Sequence, residues 1–355
     1  MEIDKVSKNE ISRFVSELMD FLNIEFSPSC PFYPQRLRVL WEITHRCNLK
    51  CIHCFVKRYY IHELTRNNML RVLDNLRKAG VEELWISGGE PLLVKDLPFV
   101  INYASSLGLT VTLSSNLALP LSEEYIREIR GSGVRFIHTS LDGIGELHDK
   151  IRGARVFRIL DKNLDLAISN GITVGISLVL SRYNINIDFI QYFNYIKIKG
   201  IKRVSIYKAE PLGAVQEQDF SIGLREELYI LRKLYDALLK LDLSDVEIEI
   251  IRFSYNGPLQ DCKAEKFFSL LPNGELSLCP WLSKNLPIRV GNILYDDPIE
   301  LFDKARAYTR KILNLFRERR TTVCHNCRFR DRCGGGCPAL AFHTSFKLDP
   351  ICCVR

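Results

Sequence analysis

From residue 38 to about 207 the chain alternates short apolar runs with amphipathic stretches, and no other feature constrains the fold as strongly. The strand candidates are Arg38 to Thr44, Glu83 to Ser87, Thr110 to Ser114, Phe136 to Leu141, Thr173 to Leu180 and Lys202 to Tyr207. Helix candidates lie between them near 65–79, 96–107, 122–130, 156–169 and 186–198, several closed by glycine at Gly80, Gly108, Gly131, Gly171 and Gly200. Strands separated by helices imply an α/β chain with a parallel sheet and right-handed crossovers. Curling into a partial barrel and opening as a doubly wound sheet are equally compatible with the periodicity. In either case functional groups gather where loops leave the carboxyl ends of the strands.

Beyond the repeat, a helix is expected at about 223–241 and a strand at Val246 to Ile251. After Pro258 the pattern turns to hairpin-like pieces around Pro272-Asn273-Gly274, a basic helix near 299–319 and a Cys/Gly-rich tail. Ahead of the repeat, Ile11, Phe14, Val15, Leu18 and Leu22 share one helical face, and the segment lacks the basic and apolar blocks of a signal peptide. No apolar run reaches the roughly 18 residues of a membrane span, so the expectation is a cytoplasmic protein with no membrane partner. A net charge of +7 on 355 residues is modest, and nucleic-acid binding does not follow from it.

The 12 cysteines are many for a reducing compartment, where clustered thiols more often bind metal than form disulfides. Cys47, Cys51 and Cys54 occupy one short loop directly after the first strand, while Cys30 stands alone. Three thiols in such a loop suit three irons of a 4Fe-4S cube with the fourth left open. A zinc site that adds His45 or His53 is the alternative. At the end of the second strand, Gly88-Gly89-Glu90-Pro91 allows close backbone approach and supplies a carboxylate able to accept from an ammonium group, although such a segment alone would more often be a turn.

The CxxxCxxC spacing after an apolar strand, with Phe55 in the aromatic position that often follows the third cysteine, resembles the signature of the radical S-adenosylmethionine (SAM) superfamily. That resemblance implies a partial (β/α)6 TIM-like barrel, a catalytic 4Fe-4S cluster on Cys47, Cys51 and Cys54, and SAM as co-substrate. It also implies that Gly88, Gly89, Glu90 and Pro91 hold the amino group of the methionine moiety. Ser140-Leu141-Asp142-Gly143, His148-Asp149 and Arg152-Gly153 resemble the stretch after the fourth strand in the peptide-modifying branch. By that resemblance Ser140 contacts the nucleoside or carboxylate of SAM with Asp142 near it, and Ser115 and Asn116 are weaker candidates of the same kind. A helix-capping serine and a turn aspartate are the plain alternatives. His62, His138 and His148 read as structural groups.

The tail, with Cys262, Cys279, Cys324, Cys327, Cys333, Cys337 and Cys352-Cys353 and the Gly291-Asn292-Ile293 segment, resembles the SPASM extension, which carries two auxiliary 4Fe-4S clusters. By that resemblance Cys262, Cys279 and Cys337 serve the first cluster and Cys324, Cys327, Cys333 and Cys352 the second, with Cys353 able to replace Cys352. Residues 250–261 contain no further cysteine, so one iron of the first auxiliary cluster is open or takes another ligand. A zinc site on Cys324, Cys327, Cys333 and Cys337 is the alternative. The implied divisions are an N-terminal helical extension over 1–36, the barrel over 37–215, a linking helix and strand over 216–258 and the iron-sulfur extension over 259–355.

The function implied is a maturase that generates a 5'-deoxyadenosyl radical and modifies a peptide or protein. Cofactor or tetrapyrrole maturation is the alternative, and a multi-cluster electron carrier or zinc module the non-enzymatic one. The short amino-terminal helix leaves no room for a separate leader-peptide-binding domain, which keeps a cofactor-precursor substrate open. The expected redox partner is a low-potential donor such as ferredoxin or flavodoxin. The run Arg306, Arg310, Lys311, Arg317, Arg319 and Arg320 could receive an acidic partner, although such a run is usually a solvated face.

Overall fold

The computed structural model describes residues 36–54, 56, 61–209, 220, 222–251, 264–285, 288–318 and 337–341. Seven strands, β1 (Arg38–Thr44), β2 (Glu83–Gly88), β3 (Thr110–Ser114), β4 (Phe136–Ser140), β5 (Thr173–Leu180), β6 (Arg203–Lys208) and β7 (Glu247–Ile251), pair in parallel with their chain neighbours. Helices α1 (Arg66–Lys78), α2 (Leu97–Ser106), α3 (Glu123–Gly131), α4 (Glu146–Arg152), α5 (Val156–Ser169), α6 (Phe189–Ile198) and α7 (Leu224–Leu238) run between them.

Local chemistry sets these boundaries. Thr65 caps α1 by accepting from Asn68 N, Arg77 and Lys78 sit in its last turn, and Gly80 follows with a φ of 81°. Met69, Val72, Leu73 and Leu76 form the buried stripe. Ser122 and Asp188 cap α3 and α6 in the same way.

Strands β1 to β6 each have one covered face. Val39, Trp41, Ile43, Leu84, Ile86, Leu113, Ile137, Val174, Ile176, Val204 and Ile206 are buried beneath the helices. The opposite face carries Trp85, Ser87, Thr112, Ser114, His138, Ser140, Ser177 and Tyr207, all half-buried. A parallel sheet covered on both sides would read as apolar throughout. Alternation of covered apolar with half-open polar positions is the pattern of a curled sheet with a polar interior. The chain therefore takes the partial-barrel alternative.

Past residue 263 the chain adds strands to the same sheet. β8 (Phe267–Leu270) pairs in parallel with the free edge of β1, and β9 (Glu275–Ser277) and β10 (Arg289–Asn292) follow antiparallel, giving one ten-stranded sheet in the order β10-β9-β8-β1-β2-β3-β4-β5-β6-β7. The expected hairpin forms at Pro272-Asn273-Gly274, where Gly274 has a φ of 83°. Helices α8 (Pro280–Asn285), α9 (Pro298–Glu318) and α10 (Pro338–Ala341) complete the described residues. On α9, Arg306 pairs with Asp303 and Arg310 with Glu265, as on a solvated face. Among the described residues no helix is long and apolar enough to cross a membrane. The expected N-terminal helix lies outside the described residues.

Candidate active site

The loop after β1 is folded onto the turn after β2. Gly89 N donates to Thr44 O at 2.7 Å and Glu90 N to Arg46 O at 2.8 Å. A Cβ on Gly88 would stand 2.1 Å from Thr44 O, and one on Gly89 2.1 Å from Arg46 O, so only glycine permits this approach. Glu63 braces the loop from the other side, accepting from Thr44 Oγ1 and, at 2.6 and 2.8 Å, from Arg46. Glu42 and His45 pair at 2.7 Å beneath it.

Glu90 is fully buried, and both of its oxygens are taken by protein donors. Oε1 accepts from Ser115 Oγ at 2.7 Å and Leu92 N at 3.0 Å; Oε2 accepts from Asn116 N at 2.7 Å. The carboxylate thus ties the end of β2 to the end of β3. Burial pushes its pKa up to about 7 against the pull of those three donors. Three of the carboxylate's roughly four acceptor sites are thus filled by protein donors, two on Oε1 and one on Oε2.

The turn after β3 reaches the thiols. Asn116 Nδ2 donates to Asn48 Oδ1 at 2.9 Å and lies 3.8 Å from Cys47 Sγ, which also receives Leu49 N at 3.4 Å. Leu117 holds a φ of 50°, and Asn163 Nδ2 donates to Leu117 O and Leu119 O at 2.7 Å each.

The far half of the loop rests on the β4 end. Ile52 N donates to Ile151 O at 3.1 Å, and Arg152 Nη1 stands 4.0 Å from Cys51 Sγ. Asp142, also fully buried, accepts from Arg152 Nε at 2.6 Å and from Val179 N at 3.0 Å, while its N–H donates to His148 Nδ1 at 3.1 Å. Burial would raise the Asp142 pKa, but Arg152, His53 and His148 hold it well below the usual carboxylate range. Each Asp142 carboxylate oxygen thus accepts from a protein donor inside the fold. Ser140 is half-buried at the end of β4, in register with Ser177. His138 meets Ser177 Oγ at 3.1 Å, and His148 Nδ1 receives Asp142 N at 3.1 Å.

Cys47, Cys51 and Cys54 are free thiols. Burial pushes Cys47 up to about 11, and the other two thiols add to that rise, so the three share one electrostatic neighbourhood. Among the described residues no three Cys, His, Asp or Glu side chains converge as closely as one metal ion requires. Cys51 is also raised by burial, with Arg152 the largest opposing influence. Cations or metal are needed to keep such thiols deprotonated at neutral pH, and N–H groups already aimed at Cys47 Sγ suit an iron-bound thiolate. The donor set fits a 4Fe-4S group.

In the last third of the chain, Cys279 and Cys337 immediately precede α8 and α10, and those helices pack on each other. Cys262, Cys324, Cys327, Cys333, Cys352 and Cys353 lie outside the described residues, as does Phe55. Glu63, Asn163 and Asn184, which donates to Asp142 O at 2.9 Å, carry no sequence signal; only the long-range packing reveals them.

The described residues thus bring three thiols to the mouth of a parallel partial barrel and clamp them to a Gly-Gly-Glu turn. Residues 41–196 match the model of the Radical SAM superfamily, a family that uses a 4Fe-4S cluster and SAM. The chain is 32% identical over 173 residues to the Fe-coproporphyrin III synthase of Methanosarcina barkeri, covering 48% of this chain and 43% of that protein, so the match spans less than half of that relative. It is 26% identical over 321 residues to the mycofactocin maturase MftC of Mycolicibacterium smegmatis, covering 87% and 80%. The fold matches that of SuiB from Streptococcus suis, solved with SAM and also with its precursor peptide SuiA, at a TM-score of 0.73 and 17% identity over 98% of this chain and 83% of that one.

Proposed function

We propose that this chain is a SPASM-type maturase in which Cys47, Cys51 and Cys54 hold the catalytic cluster and a peptide or protein is modified at an unactivated carbon. The close seating of the cysteine loop on Gly88 and Gly89 carries this reading, because it ties thiols and ligand-binding turn into one unit. When bound, the cluster and SAM supply a 5'-deoxyadenosyl radical by one-electron cleavage of SAM. The chain's own residues bind and orient. The Gly88-Gly89-Glu90-Pro91 turn holds the methionine ammonium, Ser140 and Asn116 line the rim where the rest of SAM lies, and Asp142 acts from behind the site. The polar inner face of the barrel receives the substrate and limits water.

Cys279 and Cys337 serve one auxiliary cluster together with Cys262. Their places at the starts of two packed helices support the pairing. Cys324, Cys327, Cys333 and Cys352 serve the second. A ferredoxin or flavodoxin in the reducing cytoplasm supplies the electron. The similarity to MftC over most of both chains favours the maturase reading. The 32% identity to a tetrapyrrole enzyme favours a second reading, in which the substrate is a porphyrin-type cofactor precursor.

The test is anaerobic reconstitution with iron and sulfide counting, followed by incubation with SAM, dithionite and either a candidate precursor peptide or an iron porphyrin. Peptide mass change with no porphyrin change supports the maturase. Porphyrin conversion alone overturns it in favour of the second reading, and wild-type protein that takes up zinc but no iron overturns both.

A further inference from the structure

Arg152 is a nearly buried guanidinium, 12% exposed in its side chain, at the C-terminal end of α4. Its donors are divided among three groups: Nε to Asp142 Oδ2 at 2.6 Å, Nη2 to His53 Nε2 at 3.2 Å, and Nη1 toward Cys51 Sγ at 4.0 Å. Asp142 is itself fixed by Val179 N, His148 and Asn184. A guanidinium keeps its proton under all working conditions, so this is a permanent positive charge held at a set distance from one sulfur.

We propose that Arg152 is a positioning residue that sets the reduction potential of the catalytic cluster through Cys51, making the cluster easier to reduce. The inference rests on the reading of Cys51 as a cluster ligand. Reduction adds one electron, and hence one negative charge, to the cluster; the donor is oxidised by one electron and Arg152 is unchanged. A cation near a ligand sulfur in a low-dielectric site favours the more negative state, because charge and hydrogen bonds at the sulfurs are among the levers that set cluster potentials. Asp142 offsets part of the effect while aiming the guanidinium fork, which leaves Nη1 on the sulfur.

The experiment is an anaerobic redox titration of reconstituted full-length protein, following by EPR the cluster signal that added SAM perturbs. Arg152→Met is expected to bind the same iron and sulfide but to be at least tenfold harder to reduce, which is a drop of 59 mV or more for a one-electron couple. Asp142→Asn, nearly isosteric, removes the offsetting charge and is expected to shift the midpoint upward. A fully loaded Arg152→Met with an unmoved midpoint overturns the proposal. If Arg152→Met takes up no iron, Arg152→Gln, which keeps polar donors but removes the charge, decides, and an unmoved midpoint there overturns it. Cys51→Ala in the same series isolates the underlying reading: wild-type iron content and an unaltered signal in that variant would remove Cys51 as a ligand, whatever Arg152 does.

Discussion

Gly89→Ala is the sharpest probe of how the site is built. The added Cβ would lie 2.1 Å from Arg46 O, 2.6 Å from Arg46 C and 2.8 Å from His45 O, all backbone atoms that no side-chain rotation can clear. To reach ordinary contact the loop must retreat by about 1.3 Å, which breaks Glu90 N to Arg46 O and strains Gly89 N to Thr44 O. Each lost bond costs about 1 kcal/mol. Overpacking adds about 1–3 kcal/mol, so the expected loss is about 2–4 kcal/mol. Cys47 moves with the loop, and a misplacement on the order of 1 Å near reacting groups costs roughly 100-fold in rate. Anaerobic urea unfolding measures the first effect and initial 5'-deoxyadenosine formation the second. Gly131→Ala, where nothing lies within 4 Å of the new Cβ, serves as the control and should be neutral. Wild-type stability and rate in Gly89→Ala would refute the packing argument.

Three further substitutions test separate parts. In Glu90→Gln the amide must face either Leu92 N or Asn116 N, since each carboxylate oxygen accepts a backbone N–H; a loss of about 1–3 kcal/mol in urea unfolding is expected. Asn163→Leu strips buried donors from Leu117 O and Leu119 O and should cost about 2–4 kcal/mol, with a raised KM for SAM as the rim loosens. Burial lowers His138 to about 4, so the folded state resists its protonation. Its contribution is complete above the unfolded pKa and is lost as pH falls from about 6.5 toward 4. Between pH 7.5 and 5, wild type should lose about 2 kcal/mol more than His138→Gln from this group. Equal losses in the two proteins would show that His138 does not titrate in this way.

The strands were legible because each carries a local apolar run, and their boundaries agree within one residue. Helix α4 was not. It has seven residues, starts at Gly145 without a side-chain cap, and its Asp149 carboxylate is occupied by Arg155 N and Phe157 N. Nor was the pairing of β8 with β1, because register such as Arg38 with Phe267 joins segments far apart in the chain. At the site the same division holds. Spacing exposes the cysteine loop and the Gly-Gly-Glu-Pro turn, whereas the contacts that aim them, Asn116 on Cys47 and Arg152 on Cys51, link residues 69 and 101 positions apart. Glu90 illustrates the limit most clearly: its residue type suggests an acceptor, but its bonds to Ser115, Asn116 and Leu92 appear only once β2 and β3 meet.

The most direct test of the three-thiol loop as a SAM-cleaving centre is 5'-deoxyadenosine formation by anaerobically reconstituted protein given dithionite and SAM. Wild type should form it and Cys47→Ala, Cys51→Ala and Cys54→Ala should not; a wild type with its full iron complement that forms none, or a variant that still does, would contradict the assignment.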